Sequence, residues 1–169
     1  MKKLFILFIA VAGFGVSSFA QLNVTATATA RIITPLGVST STTVMDFGNI
    51  AAGATGGTVV LTPAGTVTAT GGAKIPLLKG GTTTAATFNL TGDGSSTFTI
   101  TLPSSHIVRI GEAGAEMTIN AFTSTPSSIG TLSGGAATVS VGATITLGPG
   151  QAAGTYNSVG TIPITFNYN

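Results

Sequence analysis

The 169-residue chain has no cysteine, six Lys and Arg against four Asp and Glu, and a single His, so charged residues make up only 6% of it. So sparse a charge leaves no basic face for nucleic acid or an anionic membrane, and the lack of cysteine excludes a disulfide-stapled scaffold. The helix formers Glu, Lys, Gln and Arg are scarce, whereas residues 21–169 hold 31 Thr, a composition that favours strands.

Residues 1–20 read as a secretory signal peptide. Lys2 and Lys3 form a basic start, residues 4–16 carry no charge, and Ser18-Phe19-Ala20 sets small residues where a signal peptidase cuts before Gln21. The apolar run falls short of the roughly 20 residues a membrane span needs, so no membrane insertion is expected after cleavage. From Gln21 onward, Arg31, Lys74, Lys79 and Arg109 stand against Asp46, Asp93, Glu112 and Glu116, a formal charge of zero. A neutral exported chain lacks the like-charge repulsion that keeps secreted copies apart.

Residues 22–32, LNVTATATARI, come next. Leu22, Val24, Ala26, Ala28, Ala30 and Ile32 alternate without an error with Asn23, Thr25, Thr27, Thr29 and Arg31. That is a β-strand with one apolar and one polar face, about twice the usual length of roughly 5–6 residues. Residues 21–34 thus form an N-terminal strand segment with two possible roles. It is donated to a neighbouring copy, or it is the first strand of its own domain.

Residues 35–169 carry strands and turns and no helical period. Residues 58–62 put Val59 and Leu61 on one face and turn through Pro63-Ala64-Gly65 into residues 66–70. Phe88 and Leu90 alternate with Thr87, Asn89 and Thr91, then Asp93-Gly94 supplies the residue pair of a tight hairpin. The return strand sets Phe98, Ile100 and Leu102 against Thr97, Thr99 and Thr101, with Pro103 as its stop. A further hairpin joins residues 106–110 to 117–122, and the odd-numbered apolar positions from Ala137 to Leu147 give the clearest alternation of all. Tyr156, just before the last strand, sits where a tyrosine corner belongs. Seven or more short strands with one apolar face each predict an antiparallel β-sandwich. No fixed repeat period supports a β-helix.

Catalytic patterns are weak. Asp46-Phe47-Gly48 spells the kinase metal-binding triplet, but the other kinase signatures are missing, and Phe47 and Gly48 read as a core and a turn residue. His106 is the only histidine available as a base for Ser104 or Ser105, and it reads as an exposed loop residue. Four scattered carboxylates make neither an acid–base pair nor an oxygen cage for a metal. No enzyme, no cofactor and no metal site is expected.

The order of the pieces ATARIITPLGVS, MDFGNIAAG, GTVTATGG, FNLTGDGSSTFTITLP and LGPGQAAGTYNSVGTIPITFNYN resembles the bacterial domain-of-unknown-function family 4402 over nearly the whole exported chain. That family is similar to spore-coat-U-like proteins and chaperone–usher pilins. The resemblance implies an immunoglobulin-like sandwich, a surface-fibre role, a periplasmic export chaperone as partner, and no catalytic residues. Pilin subunits end on an alternating strand with an aromatic penultimate residue and a glycine some way before it. Here Tyr168, Phe166, Ile164, Ile162 and Gly154 fit that pattern, although the cysteine pair of many pilins is missing. Pro163 cannot donate to a ladder, which restricts this strand to a sheet edge or a bulge.

The expectation is therefore a secreted, non-enzymatic structural or adhesive subunit of a bacterial surface fibre or coat, self-associating into polymers at the cell surface or in the periplasm. Its sandwich is incomplete and completed by donor-strand exchange, or closed by its own first strand. In the first case Leu22, Val24, Ala26, Ala28, Ala30 and Ile32 form the donor face, and Ile162, Ile164, Phe166 and Tyr168 the acceptor edge. The competing expectation is a self-contained sandwich that binds a surface polysaccharide. The lack of Trp weakens it, leaving Tyr156 and Tyr168 as the amphipathic aromatic candidates.

Overall fold

The structure is a computed structural model that describes residues 23–76 and 81–169. It divides into two units, Met1–Ile32 and Ile33–Asn169. The expected signal peptide and Leu22 lie outside the described residues. In the first unit, residues 23–32 form no strand and all are exposed, Val24 by 81% and Ile32 by 97%. Their alternation is that of a strand, yet a strand persists only beside a neighbour that completes its backbone ladder.

The second unit is an all-β antiparallel sandwich, with no helix among the described residues. In chain order its strands are β1 (Gly37–Thr42), β2 (Gly57–Leu61), β3 (Val67–Gly71), β4 (Ala86–Thr91), β5 (Thr97–Thr101) and β6 (Ser105–Ile110). There follow β7 (Glu116–Thr125), β8 (Ile129–Thr131), β9 (Ala136–Leu147), β10 (Tyr156–Ser158) and β11 (Thr165–Tyr168). The larger sheet runs β1-β4-β9-β7-β6-β10, with the β2–β3 hairpin added beside β9, and the smaller runs β11-β5-β8.

The long strand β9 organises the larger sheet. On one flank β4 pairs with its first half and β2 with its second half. Gly142 lies at the change of partner, where a Cβ would collide with the Leu61 carbonyl, so no larger residue fits there. The core face of β9 is the one its alternation marks, with Val139, Val141, Ala143, Ile145 and Leu147 all buried. On the other flank the ladder to β7 shifts between Asn120 and Thr123, where Ala121 takes a positive φ of 45°. One extra residue in β7 is a β-bulge, and it switches the inward face. Met117 and Ile119 point to the core before it, Phe122 and Ser124 after it.

β5 and β6 form one path that passes from the small sheet to the large one, and β11 and β10 follow it in reverse. Both ladders keep a single register, from Tyr156↔Ile110 to Tyr168↔Phe98, which sets Pro163 opposite Pro103 in the gap between them. Neither proline has an N–H to give, so the ladder breaks where the path changes sheets.

Two apolar clusters result. The small sheet covers the first, in which Phe98, Ile100 and Leu132 meet Leu90, Val139 and Val141 of the large sheet. The second gathers Val59, Leu61, Val108, Met117, Ile119, Ile145 and Leu147 with Phe47. Phe98 is fully buried. Phe98→Ala is expected to lower the unfolding free energy by about 3–5 kcal/mol, read from the midpoint of chemical denaturation. An unchanged midpoint would contradict this placement of the core.

Candidate functional site

The second cluster has no sheet above it. Two irregular stretches cover it, residues 43–52 and residues 151–164, and between them a groove of about 1050 Å³ opens onto the core. Its floor is Val108, Met117, Ile119, Ile145 and Leu147, each only 4–8% exposed. The groove is large for a small-ligand pocket, which commonly holds roughly 300–1,000 Å³.

Each wall extends one edge of the open sheet. β1 continues into residues 43–52, which Phe47 anchors in the core and which backbone bridges from Asp46 to Thr84 and from Ala51 to Lys74 hold to the sheet. The opposite wall begins with β10, the last strand at the other end of the sheet order. A loop network fixes the far end of that wall. The Gln151 amide nitrogen donates to the Glu116 carbonyl at 3.1 Å and to the Tyr156 hydroxyl at 2.8 Å, and its oxygen accepts from the Gly148 N–H at 3.0 Å. The Tyr156 hydroxyl in turn donates to the Ala152 carbonyl at 2.8 Å, the local closure of a tyrosine corner.

The facing backbone has a definite phase. Ile100 N–H is bonded to the Ser128 carbonyl on the β8 side, and Asn169 N–H to Thr97 on the β5 side. Antiparallel strands alternate the direction of these groups. The main-chain groups of Phe166 and Tyr168 therefore face away from β5. Val159 N–H bonds Ile107 in the β6 ladder, so Tyr156 and Ser158 likewise turn their main-chain groups outward. Pro163 falls in the inward phase, and its missing N–H takes nothing from the open edge.

Of the expected acceptor residues, Ile162 and Ile164 line the groove. Phe166 and Tyr168 do not; they pack against the first cluster, with Phe166 5.6 Å from the Phe88 ring. Residues 43–52 form a wall that the sequence does not mark as one; within it Phe47 is buried in the core, as its pattern predicts. Asp46 is the one charged residue of the lining among the described residues, and its carboxylate accepts from the Gly48 N–H at 2.8 Å.

His106 is half-buried in β6, not in an exposed loop. Its Nε2 lies 2.6 Å from Ser158 Oγ, and that hydroxyl donates to the Gly160 carbonyl at 2.8 Å. When that proton lies on the carbonyl, the serine oxygen is left to accept from an Nε2–H, the tautomer in which His106 is no base toward it. Among the described residues, no three of His, Asp and Glu come together to hold a metal.

Residues 36–168 match a family model described as Domain of unknown function (DUF4402). No curated protein and no solved structure gives a match.

Proposed function

As the chain belongs to the DUF4402 family, whose description assigns no activity, we propose from its geometry that it is a non-enzymatic, pilin-like structural or adhesive subunit of a bacterial surface fibre or coat. The observation that carries this reading is the groove, whose walls continue from β1 and β10 at two edges of one open sheet and whose floor is core side chains. One added strand would satisfy both edges and roof the second cluster, as in strand addition to an exposed sheet edge. The chain carries a segment of that chemistry. Residues 23–30 are uncharged and alternate apolar with polar side chains, and all of them are exposed.

In this reading residues 22–32 of one exported copy enter the groove of the next, with the even-numbered face toward Ile162, Ile164 and the floor. The copies then form a head-to-tail chain, a heterologous contact that does not close. Neutral charge favours such association. The test is size-exclusion chromatography of the protein lacking residues 1–20 at several concentrations, with negative-stain imaging. High-mass filaments are the expected result. A monomer at every concentration overturns the reading and leaves the self-contained polysaccharide-binding sandwich in its place.

A further inference from the structure

The place where residues 22–32 leave the sandwich is tied down by one hydroxyl. Tyr168 Oη donates to the Thr34 carbonyl at 2.9 Å and accepts from the Asp93 N–H at 2.7 Å, using its one proton and one lone pair. Asp93 opens the β4–β5 turn, which is itself braced. Ser96 N–H donates to Asp93 at 3.0 Å, Gly92 N–H to Gly135 at 2.9 Å, and Gly135 N–H to Gly94 at 2.7 Å. Gly92 makes the room, since a Cβ there would strike the Tyr168 hydroxyl and Leu132 Cδ1. The Tyr168 ring is half-buried against the first cluster, so the hydroxyl is held from a fixed base. Thr34 lies ahead of Gly37, the first residue of β1 to pair, and is itself exposed.

We infer that Tyr168 is a positioning residue for assembly, whose hydroxyl anchors Thr34 and thereby sets the stiffness of the link between subunits. The inference rests on the donor-strand reading above. In a polymer of that kind, residues 33–36 are the covalent link between a strand seated in the neighbour and the subunit's own β1. Bonding the Thr34 carbonyl to a core-seated ring restricts rotation at that link. It leaves the groove untouched, because Tyr168 is not part of the lining.

The test is Tyr168→Phe, which keeps the ring and removes only the hydroxyl, with Gly92→Ala as a second variant that displaces the hydroxyl by crowding. In the monomer, hydrogen exchange at the Asp93 amide, whose N–H the hydroxyl accepts, is expected to rise about fivefold, the equivalent of one ordinary hydrogen bond. Peptides from β9 should not change. Polymers of Tyr168→Phe still form, but their persistence length in electron micrographs falls roughly twofold or more as the link loosens. Gly92→Ala should reproduce both effects. Wild-type exchange rates, or variant polymers as stiff as wild type, overturn the inference while leaving donor-strand assembly standing. Absence of wild-type polymers overturns the assembly reading and this inference with it.

Discussion

Deleting residues 21–33 is expected to abolish polymers and leave a folded, monomeric sandwich that takes up a separate peptide of residues 22–32. The second unit begins at Ile33 and contains both apolar clusters, none of whose members precedes Leu36. Among the described residues, neither apolar cluster therefore draws on the deleted stretch. The deletion removes instead the side chains that would enter a neighbour's groove. Leu22, Val24 and Ile32 each gain about 1.5–3 kcal/mol on full burial, and the three alanine methyls about 0.8 kcal/mol apiece. Edge ladder bonds add about 1 kcal/mol each, against an association cost of roughly 4–15 kcal/mol. The three bulky residues decide the outcome, since the alanines contribute little. Size exclusion, a melting curve of the truncated protein and calorimetric titration with the peptide provide the measurements. If the truncated chain is unfolded and the full chain never exceeds monomer size, residues 22–32 are the first strand of their own domain.

The sequence predicts this fold well wherever one face of a strand is buried. In β5, Phe98 and Ile100 alternate with threonines, and in β9 a run of alternate positions turns inward, so side-chain period and backbone agree. It is silent on β1, GVSTST, because an edge strand with Val38 50% exposed has no buried face to mark. The three-residue strands β8 and β10 are too short for a period to register. The bulge in β7 is legible only in hindsight, as the reason Phe122 shares a face with Met117 and Ile119 against strict alternation. Residues 22–32 show the opposite failure. Periodicity records which face of a strand seeks apolar cover, and it carries no information about which neighbour supplies the ladder. The groove follows the same rule. Ile162 and Ile164 stand out as an alternating pair, whereas residues 43–52 become a wall only through contacts with residues distant in the chain.

The complementary prediction disables the groove and keeps the donor. Ile162 lines the groove, is half-buried and belongs to neither core cluster. Ile162→Asp should therefore change the stability of the isolated subunit by less than about 1 kcal/mol. In the assembled state the same carboxylate lies beneath an inserted strand, in a lining whose one native charge among the described residues is Asp46. An unpaired buried charge costs several kcal/mol, which weakens strand uptake by about a hundredfold or more. Val159→Asp is the matched control, with the same charge on the same stretch but outside the lining. The consequence for assembly is directional. A subunit with a closed groove and an intact donor can add to one end of a growing chain and then stop it. Mixed at one part in ten with wild type, Ile162→Asp should limit chains to an average of about ten subunits, whereas Val159→Asp leaves their length unchanged. The deletion variant, with an open groove and no donor, stops chains at the opposite end. Combined in equal amounts without wild type, the two variants should yield a discrete heterodimer and nothing longer, seen by light scattering behind the size-exclusion column. Long filaments from that mixture would mean that the subunits join through some other surface. No dimer at all, with both variants folded, would mean that residues 22–32 and this groove are not partners.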